Sequence, residues 1–241
     1  MMNLRDGGFF LIDKPYTWTS FQVVNKLKSI IRRQTGVKKF KIGHAGTLDP
    51  LATGLLIVCL GKYTKKIEEF QGKDKEYIGT FRLGATTKSF DKEHPEDEHF
   101  PIDHITEDLL YSTAQSFLGE QEQVPPVYSA VKIGGKRAYH YVKAGQEVEM
   151  KKRMITISEF DLTNISLPDV DFRISCTKGT YIRSIARDFG LALDSGAYLS
   201  ALRRTRIGEY TIQEAKTLEE IEKEITENNL ITIENEDINN L

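Results

Sequence analysis

The hydrophobic and polar positions of this chain change period several times, and each change marks an element. Residues 9–13, FFLID, form a short apolar run that reads as a strand. A turn around Pro15 follows, and then Val23, Val24, Leu27, Ile30 and Ile31 recur at helical spacing. Thr19 and Gln22, three apart, fit a capping box at the start of that helix, and Gly36 is placed to end it. Residues 55–60, LLIVCL, are continuously apolar, the pattern of a strand buried on both faces. In EYIGTFRLG, Tyr77, Gly79, Phe81 and Leu83 share one side of another strand. The pattern then predicts a helix near 106–118 and strands near 154–161 and 171–177. KGTYIRSIARDFG turns into a helix with a core stripe of Ile182, Ile185, Ala186 and Phe189, and Gly190 falls at its C′ position. LEEIEKEI reads as a short acidic helix. Strands and helices do not alternate regularly, so the expected class is α+β.

The stretch GHAGTLDPLATGLL, residues 43–56, fits none of these periods. Gly43, Gly46, Pro50 and Gly54 mark a loop, with one helical turn expected at DPLAT. It holds a single carboxylate, Asp49. Asp before Pro suits an N-cap followed by a first helical residue. A carboxylate on a rigid loop also suits a catalyst, and local pattern leaves both readings open.

Composition narrows the class. With 241 residues, 39% hydrophobic and 28% charged, the chain suits one large globular domain or two small ones. No apolar run approaches the roughly 18–20 residues that cross a bilayer. GGFFLIDKP is too short for a secretory signal and is cut by Asp13. A cytoplasmic location is therefore expected, with no membrane association. Cys59 and Cys176 lie in apolar contexts without CxxC spacing and read as reduced core residues.

Net charge is −2, which looks wrong for a nucleic-acid binder, but the average conceals structure. Residues 91–108 and 214–241 each carry −7, so the rest of the chain carries +12. Residues 26–41, KLKSIIRRQTGVKKFK, hold seven Lys or Arg and no acid. That block fits a footprint for a phosphate backbone, and equally a solvated helix face. VPPVYSAVKIGGKRAYHYVKAGQEV, rich in Lys, Arg and Tyr, fits an exposed segment that grips RNA by charge and stacking.

Several chemistries are excluded. GLLIVCLGKYT contains Gly-Lys and a Thr, but at the wrong spacing for a P-loop and across strand-forming residues. There is no GxGxxG dinucleotide fingerprint and no GxSxG elbow. The five histidines, at 44, 94, 99, 104 and 140, never reach HxxxH spacing, which argues against a catalytic metal.

DKPYTWTSFQVV, KIGHAGTLDPLATGLLIVCLGKYTK, KEYIGTFRLG, VPPVYSAVKIGGKRAYHYVKAGQEV and KGTYIRSIARDFG…GAYLSALRRTRIGEY occur in that order. Together they resemble the bacterial TruB-type tRNA pseudouridine synthases over most of residues 8–213. The resemblance implies a pseudouridine-synthase-like catalytic domain, a central mixed, mostly antiparallel sheet flanked by helices and loops. It implies isomerisation of uridine to pseudouridine at position 55 in the T-arm of tRNA, with no metal and no organic cofactor. Asp49 would be the catalytic aspartate, Arg183 its partner, and Tyr77 the ring stacked on the target uracil. Tyr181 would lie near the base and Leu202 in its pocket. His44 would fill the gap that the flipped nucleotides leave in the RNA stack. Lys14, beside Pro15, is either structural or a phosphate contact. Residues 125–152 would be the RNA-gripping insertion of a catalytic domain at 1–213, and 214–241 a short acidic helix and tail. No complete C-terminal RNA-binding domain of the PUA type and no obligatory protein partner are expected. After the tyrosine strand the family often has T-x-T-x-D-x-x-G; here Ser89 stands for the second Thr and His94 for the Gly.

Each of these residues also has a plain structural reading. Tyr77 and Leu202 fit a core, Tyr181 a turn cover, and His44 a loop hydrogen-bonder. Arg183 lies off the apolar stripe of its helix and fits a surface. A different class, a non-catalytic RNA-binding or tRNA-folding module, fits the basic and aromatic segments without needing Asp49.

Overall fold

The computed structural model of the chain describes residues 2–4, 6–129, 131–134, 136–138, 141, 146, 149–227 and 230–232. Its principal strands are β1 (Gly8–Lys14), β2 (Ile42–His44), β3 (Ala52–Leu60), β4 (Lys75–Leu83), β5 (Gly119–Gln123), β6 (Arg153–Ser166), β7 (Asp169–Cys176) and β8 (Ala197–Ile207). Its longer helices are α1 (Ser20–Thr35), α2 (Glu107–Ser116), α3 (Ile182–Ala192) and α4 (Leu218–Glu227). The class is α+β, and every pairing among these strands for which register is defined is antiparallel. No helix among the described residues is long and apolar enough to cross a membrane.

The chain forms two compact units, residues 1–75 with 203–241 and residues 76–202. In the first unit β3 is the central strand. Its apolar run Leu55–Leu60 is fully buried, as a strand covered on both faces should be. β1 pairs along one edge, from Gly8 opposite Leu60 to Lys14 opposite Gly54. β2 pairs on the other edge, with His44 opposite Val58. Helix α1 packs Val23, Leu27, Ile30 and Ile31 into the core with Ile12, Leu56 and Val58. Its ends follow the sequence. Thr19 and Gln22 make the capping box, and Gly36 closes the helix at φ 74°, where a Cβ would be strained.

Helix α4 belongs to this same core through Leu218, Ile221 and Ile225. Its acidic side is used as well. Glu222 takes Lys26 at 3.1 Å and also Arg33, both on α1. The acidic C-terminal helix therefore pairs with two cations of the basic block through one carboxylate, which offsets one of their two charges. Ile221→Ala is expected to cost about 2–5 kcal/mol of unfolding free energy, measured by urea denaturation. An unchanged midpoint would show that α4 adds nothing to this core.

The second unit orders its strands β4-β7-β6-β5, with the Ala197–Leu202 part of β8 beside β4. Its core is aromatic. Phe81 stacks on Phe172 at 4.1 Å, and Phe160 and Phe189 pack around them. Gly79 is required by close approach, since a Cβ there would meet the Ala201 carbonyl oxygen at 2.4 Å. The acidic run 91–108 includes a short strand, Glu96–His99, paired with Ala85–Thr87.

Two local expectations are corrected. Helix α3 does not stop before Gly190 but runs to Ala192, and the left-handed residue beyond it is Asp194, φ 51°. Gly190 is needed for space: a Cβ would lie 2.3 Å from the Ala197 amide nitrogen. At DPLAT there is a turn and no helix. The Ala52 amide donates to the Asp49 carbonyl at 3.1 Å, and β3 begins at once. With no helix to follow, Asp49 has no N-terminus to cap.

Candidate active site

Strands β2 and β3 are the two arms of a hairpin, and Asp49 rides on the loop 45–51 that joins them. Four groups from outside hold this loop, all in the first unit. The Ala45 amide donates to the Ile57 carbonyl at 2.8 Å. The Ser20 hydroxyl accepts from the Leu48 amide at 2.9 Å and donates to the Leu48 carbonyl at 3.2 Å. Lys14 Nζ donates to the Pro50 carbonyl at 3.4 Å, as well as to Pro15 and Trp18 carbonyls at 3.0 and 2.5 Å. Arg204 donates from Nε to Leu55 O at 2.8 Å and from its guanidinium to Gly46 O at 3.2 Å. Both residues next to Asp49 in sequence are thus fixed, while Asp49 itself is half-buried. Gly54 completes the mount. At φ 103° it lets the backbone of β8 pass, where a Cβ would meet the Arg204 carbonyl oxygen at 2.3 Å.

Lys14 is 0% exposed. Burial pushes its pKa from 10.5 down to about 8, against the Asp49 charge, which raises it, and with the Arg204 charge, which lowers it further. The consequence for stability has a definite sign. Below pH 8 both folded and unfolded forms hold this proton, and the penalty of the buried charge is complete. Between about 8 and 10.5 the folded form has lost the proton and the unfolded form keeps it, so this group adds stability as pH rises. The stability of the wild type relative to Lys14→Met is expected to climb across that window, as followed by denaturant titration at several pH values. A flat difference would mean that Lys14 is not held in this environment.

His44 ends β2, half-buried, with Nδ1 buried and without a hydrogen-bond partner. Burial first, and the Arg204 charge second, hold its pKa below the ordinary imidazole value, against a backbone bond at Gly46. The charged form of the ring is therefore disfavoured.

The second unit holds the other sequence-predicted residues. Tyr77 lies on β4 in the same facing as Phe81 and Leu83 and is buried. Leu202 is half-buried on β8. Tyr181 precedes α3, and its backbone is clasped by one side chain. The Gln123 amide donates to Tyr181 O at 3.1 Å and accepts from Tyr181 N at 2.8 Å. Arg153 sits over the Tyr181 ring, 5.1 Å from its centroid. Arg183, expected off the core, is only 4% exposed. It donates to Ser89 O at 3.1 Å and to Tyr128 O at 2.9 Å, and its Nε lies 3.6 Å from Asp91. Those acceptors, supplied by distant segments, are why an arginine off the apolar stripe is buried. The departing turn keeps its chemistry: Ser89 Oγ donates to Asp91 Oδ1 at 2.6 Å, while His94 packs on Tyr128 at 4.6 Å.

Among the residues of these arrangements that escaped the sequence reading are Ser20, Asp91, Gln123, Arg153 and Arg204. Asp91 was absorbed into an acidic run, Gln123 looked like an ordinary strand polar residue, and Arg204 sat among other arginines. Of the expected insertion at 125–152, residues 130, 135, 139, 140, 142–145, 147 and 148 lie outside the described residues.

The TruB family pseudouridylate synthase N-terminal domain matches residues 32–182, and the tRNA pseudouridylate synthase B C-terminal domain matches 183–234. The chain belongs to the TruB family. It is 56% identical over 211 residues to the tRNA pseudouridine synthase B of Flavobacterium johnsoniae, covering 87% of this chain and 92% of that one. It is 49% identical over 235 residues to the protein of that name from Parabacteroides distasonis, covering 98% and 100%. Among solved structures it is similar to a chain of a Cbf5-Nop10-Gar1 complex, with a TM-score of 0.70 and 29% identity. That match covers 94% of this chain and 57% of the other.

Proposed function

We infer that this chain converts uridine to pseudouridine at position 55 in the T-arm of tRNA. The observation that carries the reading is the four-sided mounting of the Asp49 loop in a member of this family. The reaction breaks N1–C1′, turns the uracil and joins C5 to C1′. The proton on C5 leaves for solvent and N1 takes up another. The base must leave the stack, at a cost of a few kcal/mol, because neither carbon is reachable within a helix. Positive charge builds at C1′ as the glycosidic bond breaks. Glycosidases meet such charge with two carboxylates, one of which handles water. An isomerase must keep water away, and one carboxylate that attacks carbon or takes a proton and then reverses is sufficient. Asp49 has that role here.

Tyr77 stacks on the uracil, an interaction of roughly 1–3 kcal/mol that offsets part of the flipping cost. Tyr181 and Leu202 border the base, and His44 takes the place of flipped nucleotides in the stack. Arg183 serves the aspartate. We assign Lys14 to holding the Pro50 side of the loop, since its ammonium is committed to three carbonyls. The test is T-arm RNA tritiated at uracil C5. Release of tritium without free uracil is expected. Free uracil that keeps its C5 tritium would make the chain a hydrolase, and binding with neither product a tRNA-folding module.

A further inference from the structure

The segment that grips the Asp49 loop also exposes two large aromatic side chains. Tyr16 is 53% exposed and Phe21 66%. Each is the next residue after an anchoring point: Pro15, whose carbonyl takes the Lys14 ammonium, and Ser20, whose hydroxyl holds Leu48. Between them Thr17 is held at φ 68°, a conformation that a β-branched residue adopts only under constraint. The aromatic pair is thus rigidly tied to the residues on either side of Asp49.

Phe21 also heads one face of α1. Asn25, Lys28 and Arg32 follow it at helical spacing, with Asn25 and Arg32 exposed and Lys28 half-buried. Arg32 reaches the Lys38 carbonyl at 2.7 Å and so joins this face to the Lys38–Lys39 turn. No salt bridge among the described residues involves Lys28, Arg32, Lys38 or Lys39. The neighbouring face is different, since Lys26 and Arg33 are both occupied by Glu222. The helix thus has one basic side partly offset by Glu222 and one cationic side, and the cationic side begins at an aromatic beside the Asp49 loop.

We propose that Tyr16 and Phe21 are a stacking platform for an unpaired nucleobase of the RNA, and that Lys28, Arg32 and the Lys38–Lys39 turn carry the adjoining phosphates. The occupant is an RNA strand because aromatic faces interleaved with unneutralised cations suit bases and phosphates, and because the track is continuous with the Asp49 mount. This inference rests on the reading of the chain as a tRNA-modifying enzyme.

The test measures the Kd of a T-arm stem-loop RNA, across a salt series, for the full chain and its variants. Tyr16→Ser and Phe21→Ser are each expected to weaken binding about tenfold, and their combination about 100-fold, since a stacked base contributes on that scale. Their salt dependence should match the wild type, because no cation is lost. Phe21→Trp should keep the wild-type Kd. Lys28→Gln with Arg32→Gln should lower the slope of log K against log salt by about 1–2. The melting temperature of the serine variants should not move, since the Tyr16 and Phe21 side chains lie at the surface. A double serine variant that binds within twofold of the wild type overturns the platform, and an unchanged slope for the lysine–arginine variant overturns the track. Should the wild type bind but not isomerise, the functional reading falls, while the Kd comparison still decides this proposal.

Discussion

Asp49→Asn is expected to abolish pseudouridine formation, by at least about 10³-fold or ~4 kcal/mol of transition-state stabilisation, while tRNA binding changes by less than about threefold. The substitution preserves shape. The holds at Ala45, Gly46 and Leu48 are made to other groups, and Asp49 bears only on the fourth, where its charge favours the Lys14 ammonium at Pro50, so the asparagine variant should fold with its loop in place. What disappears is the charge and the nucleophilic or basic oxygen. A neutral amide can neither attack carbon nor hold a proton reversibly at neutral pH. Tritium release and RNA affinity, measured on the same preparation, separate the two effects. Turnover at the wild-type rate would remove Asp49 from the chemistry.

The second large effect is on stability. Arg183→Met is expected to destabilise the protein by about 3–5 kcal/mol, because it strips the cation from a buried pair. Asp91 is also buried and would be left with the Ser89 hydroxyl and the Glu93 amide, which ease its charge without neutralising it. The Ser89 and Tyr128 carbonyls would lose their donors as well. At about 2–4 °C per kcal/mol for a chain of this size, the melting temperature should fall by roughly 6–20 °C. Arg183→Lys should recover only part of this, since one ammonium cannot span three acceptors in the guanidinium's planar geometry. A melting temperature unchanged in Arg183→Met would show that the pair is not a stabilising feature. Activity should be measured well below the transition, so that loss of catalysis is not confused with loss of the fold.

These two residues also show where sequence reasoning reached and where it stopped. Elements governed by neighbours in the chain were legible: α1 with its capping box and closing glycine, β3 from its apolar run, and α3 from its stripe. Local pattern left Asp49 open between a cap and a catalyst, and the family resemblance made it the expected catalyst. What removes the cap is that a strand, β3, follows it, and a local Asp-Pro pattern carries no information about that. Arg183 and Arg204 were misplaced or overlooked for a common reason. A guanidinium is buried when carbonyls meet it, and the carbonyls that do so belong to residues 89 and 128 in one case and 46 and 55 in the other. Charge on its own helix or strand predicts exposure, and the compensation comes from segments far along the chain. Gly190 failed in a related way, because its need for glycine comes from Ala197 and not from a turn.

The chain has one tryptophan, Trp18, in the middle of the segment that joins β1 to α1. Its indole packs against the apolar core of the first unit, and its carbonyl accepts the Lys14 ammonium. Intrinsic tryptophan fluorescence of this protein is therefore a signal from a single place, two residues from Tyr16 and three from Phe21. No label is needed to follow RNA arriving at that segment, and an emission change on a stopped-flow timescale would time base capture separately from the isomerisation that follows it.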